Sequence, residues 1–133
     1  MTTLPRLLIM FVMLTTIAAA HDKPAIMEVD AVVTAYCPCS KCCGKYADGV
    51  TSAGKDANTR GCAVDPKMIP YGSDVVIGEK AWRADDTGGA MRQSGRKGVY
   101  HIDLRMATHA EALQWGRKRI KVTVCTPATE ATK

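Results

Sequence analysis

Apolar and polar residues alternate between Glu28 and Tyr36, and Val29, Ala31 and Val33 fall on one face of this segment. Successive side chains of a β-strand point to opposite faces of a sheet, so the alternation predicts a strand with one buried face. Shorter patterns of the same kind predict four further strands, at residues 75–77, 81–84, 99–106 and 120–124. We therefore expect a mainly β protein.

Thr108 is followed three residues later by Glu111, which is the spacing of a capping box at the start of a helix. This spacing predicts a short helix, His109–Trp115, that ends at Gly116. We expect Trp115 to pack against the rest of the fold rather than to stack on a sugar. Several short strands, a short helix and many turn residues together favour a small closed β-barrel.

The chain has 133 residues, of which 47% are hydrophobic, as expected for one domain. Residues 1–20 combine Arg6, an apolar run and three final alanines, the layout of a cleavable export signal. The apolar run is shorter than the roughly 20 residues that span a bilayer, so we expect no stable membrane anchor. The predicted organisation is a signal peptide (1–20), a lead (21–29), a barrel domain (30–125) and a flexible tail (126–133), in a secreted or periplasmic protein.

The net charge is +5, and it falls by one, to +4, once Arg6 is removed with the signal segment. A modest positive charge suits a polyanionic surface such as a cell wall. Nucleic acid is not an expected partner, because the basic residues near the C-terminus lack interleaved aromatic residues and the chain is predicted to be exported. These basic residues, which we expect to form a solvated face, are Arg117, Lys118, Arg119 and Lys121.

The six cysteines all lie beyond the signal segment: Cys37, Cys39, Cys42, Cys43, Cys62 and Cys125. An even number of cysteines in a small exported protein predicts disulfide staples, here three, whose pairing the sequence leaves open. The alternative is a zinc site in the dense run from Cys37 to Cys43. That run lacks the usual pair of separated Cys-x-x-Cys knuckles, so we predict disulfides, with no metal and no cofactor.

Two aspartates stand out as candidates for chemistry. Asp103 lies between apolar Ile102 and Leu104 in a predicted strand, where burying an ionised group without partners is costly. The same strand places His101 on the face of Asp103. Asp86 precedes two glycines, and it is either a turn residue or a functional carboxylate.

Several motifs then occur in a recognisable order, and together they resemble the three-aspartate (3D) domain. This family includes the catalytic barrel of membrane-bound lytic murein transglycosylase A and small stationary-phase survival proteins. The resemblance covers roughly residues 30–124. The motifs that carry it are Ala63–Pro66, Ile69–Gly72, Ala84–Ala90, His101–Asp103 and Ala112 with Trp115–Arg117, supported by Thr34–Tyr36 and Thr51–Gly54.

The resemblance implies a six-stranded double-psi β-barrel with one or two short helices and a groove on which Asp65, Asp86 and Asp103 converge. Asp103 takes the place of the catalytic acid, with Asp86 as its close companion and Asp65 as the third. The segment 91–98 makes the spacing between Asp86 and Asp103 longer than is usual for the family. The expected substrate-binding residues are Tyr36, Thr51, Thr87, Gly88 and His101.

The implied activity is that of a monomeric lytic transglycosylase acting on the glycan strands of peptidoglycan. The 6-hydroxyl of N-acetylmuramic acid would attack its own C1, so that one residue, Asp103, serves as acid and then as base. One alternative is a non-catalytic module that binds or loosens wall polysaccharide, as in expansins and the rare-lipoprotein-A group. Another is an aspartic protease, since Asp86-Thr87-Gly88 is the tripeptide of that class.

Overall fold

The structure is a computed structural model, and it describes residues 24–128. The predicted signal peptide and residues 129–133 of the predicted tail lie outside the described residues. Within the described part, no helix is long and apolar enough to cross a membrane.

Six strands form the fold. They are β1 (Ile26–Tyr36), β2 (Gly61–Ala63), β3 (Asp74–Ile77), β4 (Lys80–Asp86), β5 (Tyr100–Arg105) and β6 (Lys118–Cys125). Three short α-helices lie between them, together with a 3₁₀ turn at Gly44–Tyr46. The helices are α1 (Ser40–Cys43), α2 (Gly89–Gly95) and α3 (His109–Trp115).

The strands close into a barrel in the order β1-β5-β2-β4-β3-β6. Two pairs are parallel, β1 with β5 and β2 with β4, and the other four are antiparallel. The long strand β1 pairs with β6 through its first part and with β5 through its second part. This arrangement confirms the predicted fold class, a small six-stranded barrel that is mainly β.

Branched and aliphatic side chains from the inward faces of the strands fill the barrel. Ala31 and Val33 of β1 and Ile102 and Leu104 of β5 belong to this core, as their alternation predicted. His101 and Asp103 lie on the opposite face of β5, because neighbouring strand residues point in opposite directions. The predicted face assignment of β5 is therefore confirmed.

Helix α3 has the predicted bounds and the predicted capping box, in which Thr108 and Glu111 bond each other's backbone N–H groups. Three other elements, β2, α1 and α2, were missed, so the structure has three short α-helices where one or two were expected. Strand β2 has only three residues, too few to show a period, and α2 begins with Gly89 and ends with Gly95, both weak helix formers. The segment 91–98, which lengthens the spacing between Asp86 and Asp103, is thus mostly helix and turn.

The prediction of three disulfides is wrong for this structure. Cys37 is bonded to Cys39, whereas the remaining four cysteines, Cys42, Cys43, Cys62 and Cys125, are free. Cys62 lies in the barrel core on β2, and two strands separate β2 from β6, which carries Cys125, in either direction around the barrel. Burial raises the pKa of the Cys62 thiol, which makes it an unreactive core residue.

A candidate active-site groove

A groove of about 660 Å³ opens where the C-terminal ends of β1, β4 and β5 meet. This volume is within the range of small-ligand sites in proteins. Its wall is built from these strand ends, the loop that precedes β2 and the start of α2. The lining residues that matter below are Tyr36, Cys42, Cys43, Tyr46, Asp48, Thr51, Ser52, Asp86, Thr87, Gly88 and Asp103.

Asp103 reaches the groove from the outward face of β5, directly opposite Thr34 on β1 and Ala63 on β2. Its carboxyl oxygen Oδ1 accepts a hydrogen bond of 2.8 Å from the Thr34 hydroxyl. Burial raises the pKa of Asp103, and the charge of Asp86 raises it further, against the lowering effect of the Thr34 bond. Asp103 therefore keeps its proton to higher pH than an ordinary aspartate.

The pKa of Asp86, the last residue of β4, is shifted in the opposite direction. Its Oδ1 accepts bonds from the Ser52 amide (2.9 Å), the Ser52 hydroxyl (2.7 Å) and the Thr87 amide (2.9 Å), and its Oδ2 accepts one from the Tyr36 hydroxyl (2.7 Å). Burial alone would raise the pKa of Asp86, but these four donors outweigh burial and lower it. Asp86 is therefore held as a carboxylate.

Tyr36 is fixed between two charged groups. Its hydroxyl accepts a bond of 3.2 Å from Arg105 Nη1 and donates to Asp86. Arg105 in turn forms a buried, bidentate ion pair with Asp85, with both N–O distances at 2.9 Å. Burial raises the pKa of Tyr36, so its hydroxyl remains protonated and serves as a donor to Asp86.

His101 lies behind the groove and does not line it. Its Nε2 is 3.1 Å from the Thr34 hydroxyl, and its Nδ1 is 3.2 Å from the hydroxyl of Ser94 on α2. Burial, together with the charge of Arg117, lowers the pKa of His101, which favours the neutral ring. A neutral ring protonated on Nε2 can donate to Thr34, leaving the Thr34 proton for Asp103.

The structure does not bring Asp65 into the groove with the other two aspartates. Asp65 is buried in the turn after β2, where its Oδ1 accepts a bond from the Lys67 amide. Its Oδ2 lies so close to Gly95 that a Cβ at that glycine would collide with it. Asp65 therefore packs against the end of α2, although the resemblance had grouped it with Asp86 and Asp103.

Of the other residues predicted to bind substrate, Tyr36, Thr51, Thr87 and Gly88 line the groove. Thr51 is buried, and its hydroxyl accepts a bond from the Lys55 amide, so it holds its loop in shape. Ser52 was not predicted as a site residue, although it lies in a motif that supported the resemblance. Neither Thr34 nor Arg105 was predicted, because their roles depend on partners 69 and 20 residues away in the chain.

The molecule is a closed six-stranded β-barrel that carries two aspartates, Asp86 and Asp103, in one groove. The family model described as "3D domain" matches residues 60–126, just over half of the chain. The chain belongs to the 3D domain family.

Two proteins of Bacillus subtilis (strain 168) are similar in sequence. The "Putative cell wall shaping protein YabE" is 37% identical over 93 residues, which are 68% of this chain and 21% of that protein. The "Cell wall-binding protein YocH" is 40% identical over 81 residues, which are 57% of this chain and 26% of that protein. The chain thus matches about a quarter of the length of these relatives.

Proposed function

We propose that this protein is an exported lytic transglycosylase that cleaves the glycan strands of peptidoglycan and leaves 1,6-anhydro-N-acetylmuramic acid ends. Membership of the 3D domain family and the cell-wall names of the two relatives support a role at the cell wall. The single observation that supports the enzymatic part of the proposal is that the two carboxyl groups in the groove accept different numbers of hydrogen bonds. Within residues 24–128, the carboxyl group of Asp103 accepts one hydrogen bond, whereas that of Asp86 accepts four, two from backbone amides and two from hydroxyls.

This inequality supports different roles for the two carboxyl groups. Asp103 retains its proton to higher pH than an ordinary aspartate, and its acid form would deliver this proton to the glycosidic oxygen as the bond from C1 to that oxygen breaks. The 6-hydroxyl of the same N-acetylmuramic acid then bonds to C1, and its proton passes to the Asp103 carboxylate. No water is consumed and the acid is regenerated. The fixed carboxylate of Asp86 supports the positive charge that develops on the sugar ring in such reactions.

The neighbours of Asp103 prepare it for this cycle. The Thr34 hydroxyl holds Oδ1, which leaves Oδ2 for the substrate. His101 and Ser94 continue the hydrogen-bond chain away from the groove and fix the orientation of Thr34. We regard these three as positioning residues, because none of them lines the groove.

The test is incubation of the purified chain, without residues 1–20, with peptidoglycan, followed by mass spectrometry of the soluble products. We expect anhydro ends from the parent and a loss of about 10²-fold or more with Asp103→Asn, which cannot cycle a proton. Asp48→Asn is the matched control, since Asp48 is an exposed carboxylate of the same groove and should remain active. Retained cleavage in Asp103→Asn together with its loss in Asp65→Asn would show that the acid is misassigned.

The name of the second relative favours another candidate function, binding of wall polysaccharide without cleavage. In that case the parent would release no anhydro product, and the Asp103→Asn variant would bind and loosen walls as well as the parent does. Binding to insoluble peptidoglycan, measured by co-sedimentation alongside the product assay, distinguishes the two candidates.

A further inference from the structure

Three cysteines and one histidine meet beside the groove. The sulfur atoms of Cys37, Cys39 and Cys42 and the Nδ1 of His109 lie within 4.8 Å of one another. The nitrogen is 3.3 Å from the Cys42 sulfur, 3.8 Å from that of Cys37 and 3.9 Å from that of Cys39. The sulfurs of Cys37 and Cys42 are 3.4 Å apart.

These four distances are close to those between the ligands of a tetrahedral zinc ion, whereas the sulfurs of Cys37 and Cys39 are bonded to each other in this structure and would have to separate. With Zn–S bonds of about 2.3 Å and Zn–N bonds of about 2.0 Å, neighbouring ligand atoms are about 3.5 to 3.8 Å apart. Three sulfurs and one imidazole nitrogen are also a common ligand set of closed, structural zinc sites. Sulfur ligands favour zinc over hard ions such as magnesium and calcium.

The fold brings the ligands together from two distant parts of the chain. Cys37 directly follows β1 and is buried, Cys39 caps the N-terminus of α1, and Cys42 lies within α1. His109 is the first residue of α3, and the capping box at Thr108 fixes the backbone there. Cys43 is not part of the cluster, because its thiol donates to the carbonyl of Cys37 instead.

We propose that the reduced chain binds one Zn²⁺ through the thiolates of Cys37, Cys39 and Cys42 and the neutral imidazole of His109. Binding releases the three thiol protons and involves no change of oxidation state. The metal-bound form and the form with the Cys37–Cys39 disulfide exclude each other, because a disulfide offers no thiolate. The proposal reverses the sequence-based preference for disulfides in this run, which considered four cysteines and overlooked His109.

The ion would join the segment that follows β1 to the start of α3. This segment carries Cys42, Cys43 and Tyr46, which form one wall of the groove. Metal binding would therefore hold this groove wall in place. The proposal is tested by the metal content of the reduced chain, so its outcome does not depend on whether the groove cleaves glycan.

The experiment uses the chain without residues 1–20, purified under reducing, oxygen-free conditions with zinc supplied. Elemental analysis after dialysis should give one zinc per chain, and the reduced chain should melt at a higher temperature with zinc than without it. Cobalt substituted for zinc should show the visible absorption of tetrahedral thiolate coordination. Cys42→Ser and His109→Ala should lose the metal, whereas Cys43→Ser and Cys125→Ser, the matched controls, should keep it.

The variant His109→Cys guards against a loss that reflects misfolding, since it restores a fourth ligand and should retain zinc with an altered cobalt spectrum. Three outcomes would overturn the proposal. They are absence of stoichiometric metal from the reduced parent, full binding by both Cys42→Ser and His109→Ala, and a loss of metal in Cys43→Ser equal to that in Cys42→Ser.

Discussion

Asp86 and Asp103 show how two identical side chains acquire opposite properties within one groove. Four donors surround the carboxylate of Asp86 and lower its pKa, whereas burial and the charge of Asp86 raise the pKa of Asp103. In the proposed mechanism, the opposite directions of the two pKa shifts are the reason why Asp103 is taken as the acid and Asp86 as the carboxylate. The assignment can be tested by changing one neighbour of Asp103 at a time.

Thr34→Val and Asp86→Asn should move the alkaline limb of the pH–rate profile in opposite directions. Valine removes a hydrogen bond that lowers the pKa of Asp103, so the acid form persists to higher pH. Asparagine removes a negative charge that raises this pKa, so the acid form is lost at lower pH. The measurement is the rate of anhydro-product release as a function of pH for both variants and the parent.

If the alkaline limbs of Thr34→Val and Asp86→Asn both moved in the same direction relative to the parent, this account of the environment of Asp103 would be contradicted. The Asp48→Asn variant again serves as the control, because within the described residues the Asp48 carboxylate only bonds the Val50 amide of its own loop. Its alkaline limb should coincide with that of the parent.

At the scale of elements, α3 depends on its contact with the barrel. The helix has seven residues, too few to be stable alone, so its packing face decides whether it forms. Ala112 is buried and Trp115 packs against the core, where its Nε1 donates to the carbonyl of Val33 at 3.3 Å. The Lys118 amine lies 3.9 Å from the centre of the Trp115 ring, so it covers one face of that ring.

Trp115→Ala should therefore lower stability more than it lowers glycan binding. We expect a loss of about 2 kcal/mol in the free energy of unfolding, below the 3–5 kcal/mol typical of fully buried tryptophans. Chemical denaturation and peptidoglycan co-sedimentation measure the two effects. Leu113→Ala is the control on the same helix, since Leu113 is 70% exposed and its loss should change neither. A large loss of binding at unchanged stability would instead make Trp115 a sugar platform.

At the scale of the whole molecule, one buried ion pair connects four strands. Arg105 at the end of β5 pairs with Asp85 of β4, bonds Tyr36 at the end of β1 and lies against Gly61 at the start of β2. The pair from Asp85 and the bond from Tyr36 raise the pKa of Arg105 despite its burial, so it remains charged. Such a pair destabilises a protein strongly once one partner is displaced.

The substitution Gly61→Ala should displace the ion pair between Arg105 and Asp85. A Cβ at Gly61 would collide with Arg105 Nη2 and would lie 2.6 Å from Asp85 Oδ1, closer than real Cβ atoms come to other atoms. We expect the free energy of unfolding to fall by about 3 kcal/mol, as when a buried pair is broken. Gly89→Ala is the control, because a Cβ there meets nothing within 4 Å. Equal melting temperatures for the two variants would show that the pair has room to move.

The sequence by itself determined the features that depend on close neighbours in the chain. The alternation in β1 and β5, and the capping box that starts α3, are set by residues a few positions apart, and all three are confirmed. Ordered motifs also gave the family and the barrel. Strand β2 and helix α2 were missed because three residues show no period and two glycines disfavour a helix.

Only the tertiary structure decided which distant residues meet. The resemblance had grouped Asp65, Asp86 and Asp103, and the structure places Asp86 and Asp103 in one groove and Asp65 outside it. The structure also brought His109 to within 3.3 Å of the Cys42 sulfur, 67 residues earlier, and kept Cys62 and Cys125 on opposite strands of the barrel. Contacts over such separations depend on how the whole barrel closes, and local residue patterns carry no information about that closure.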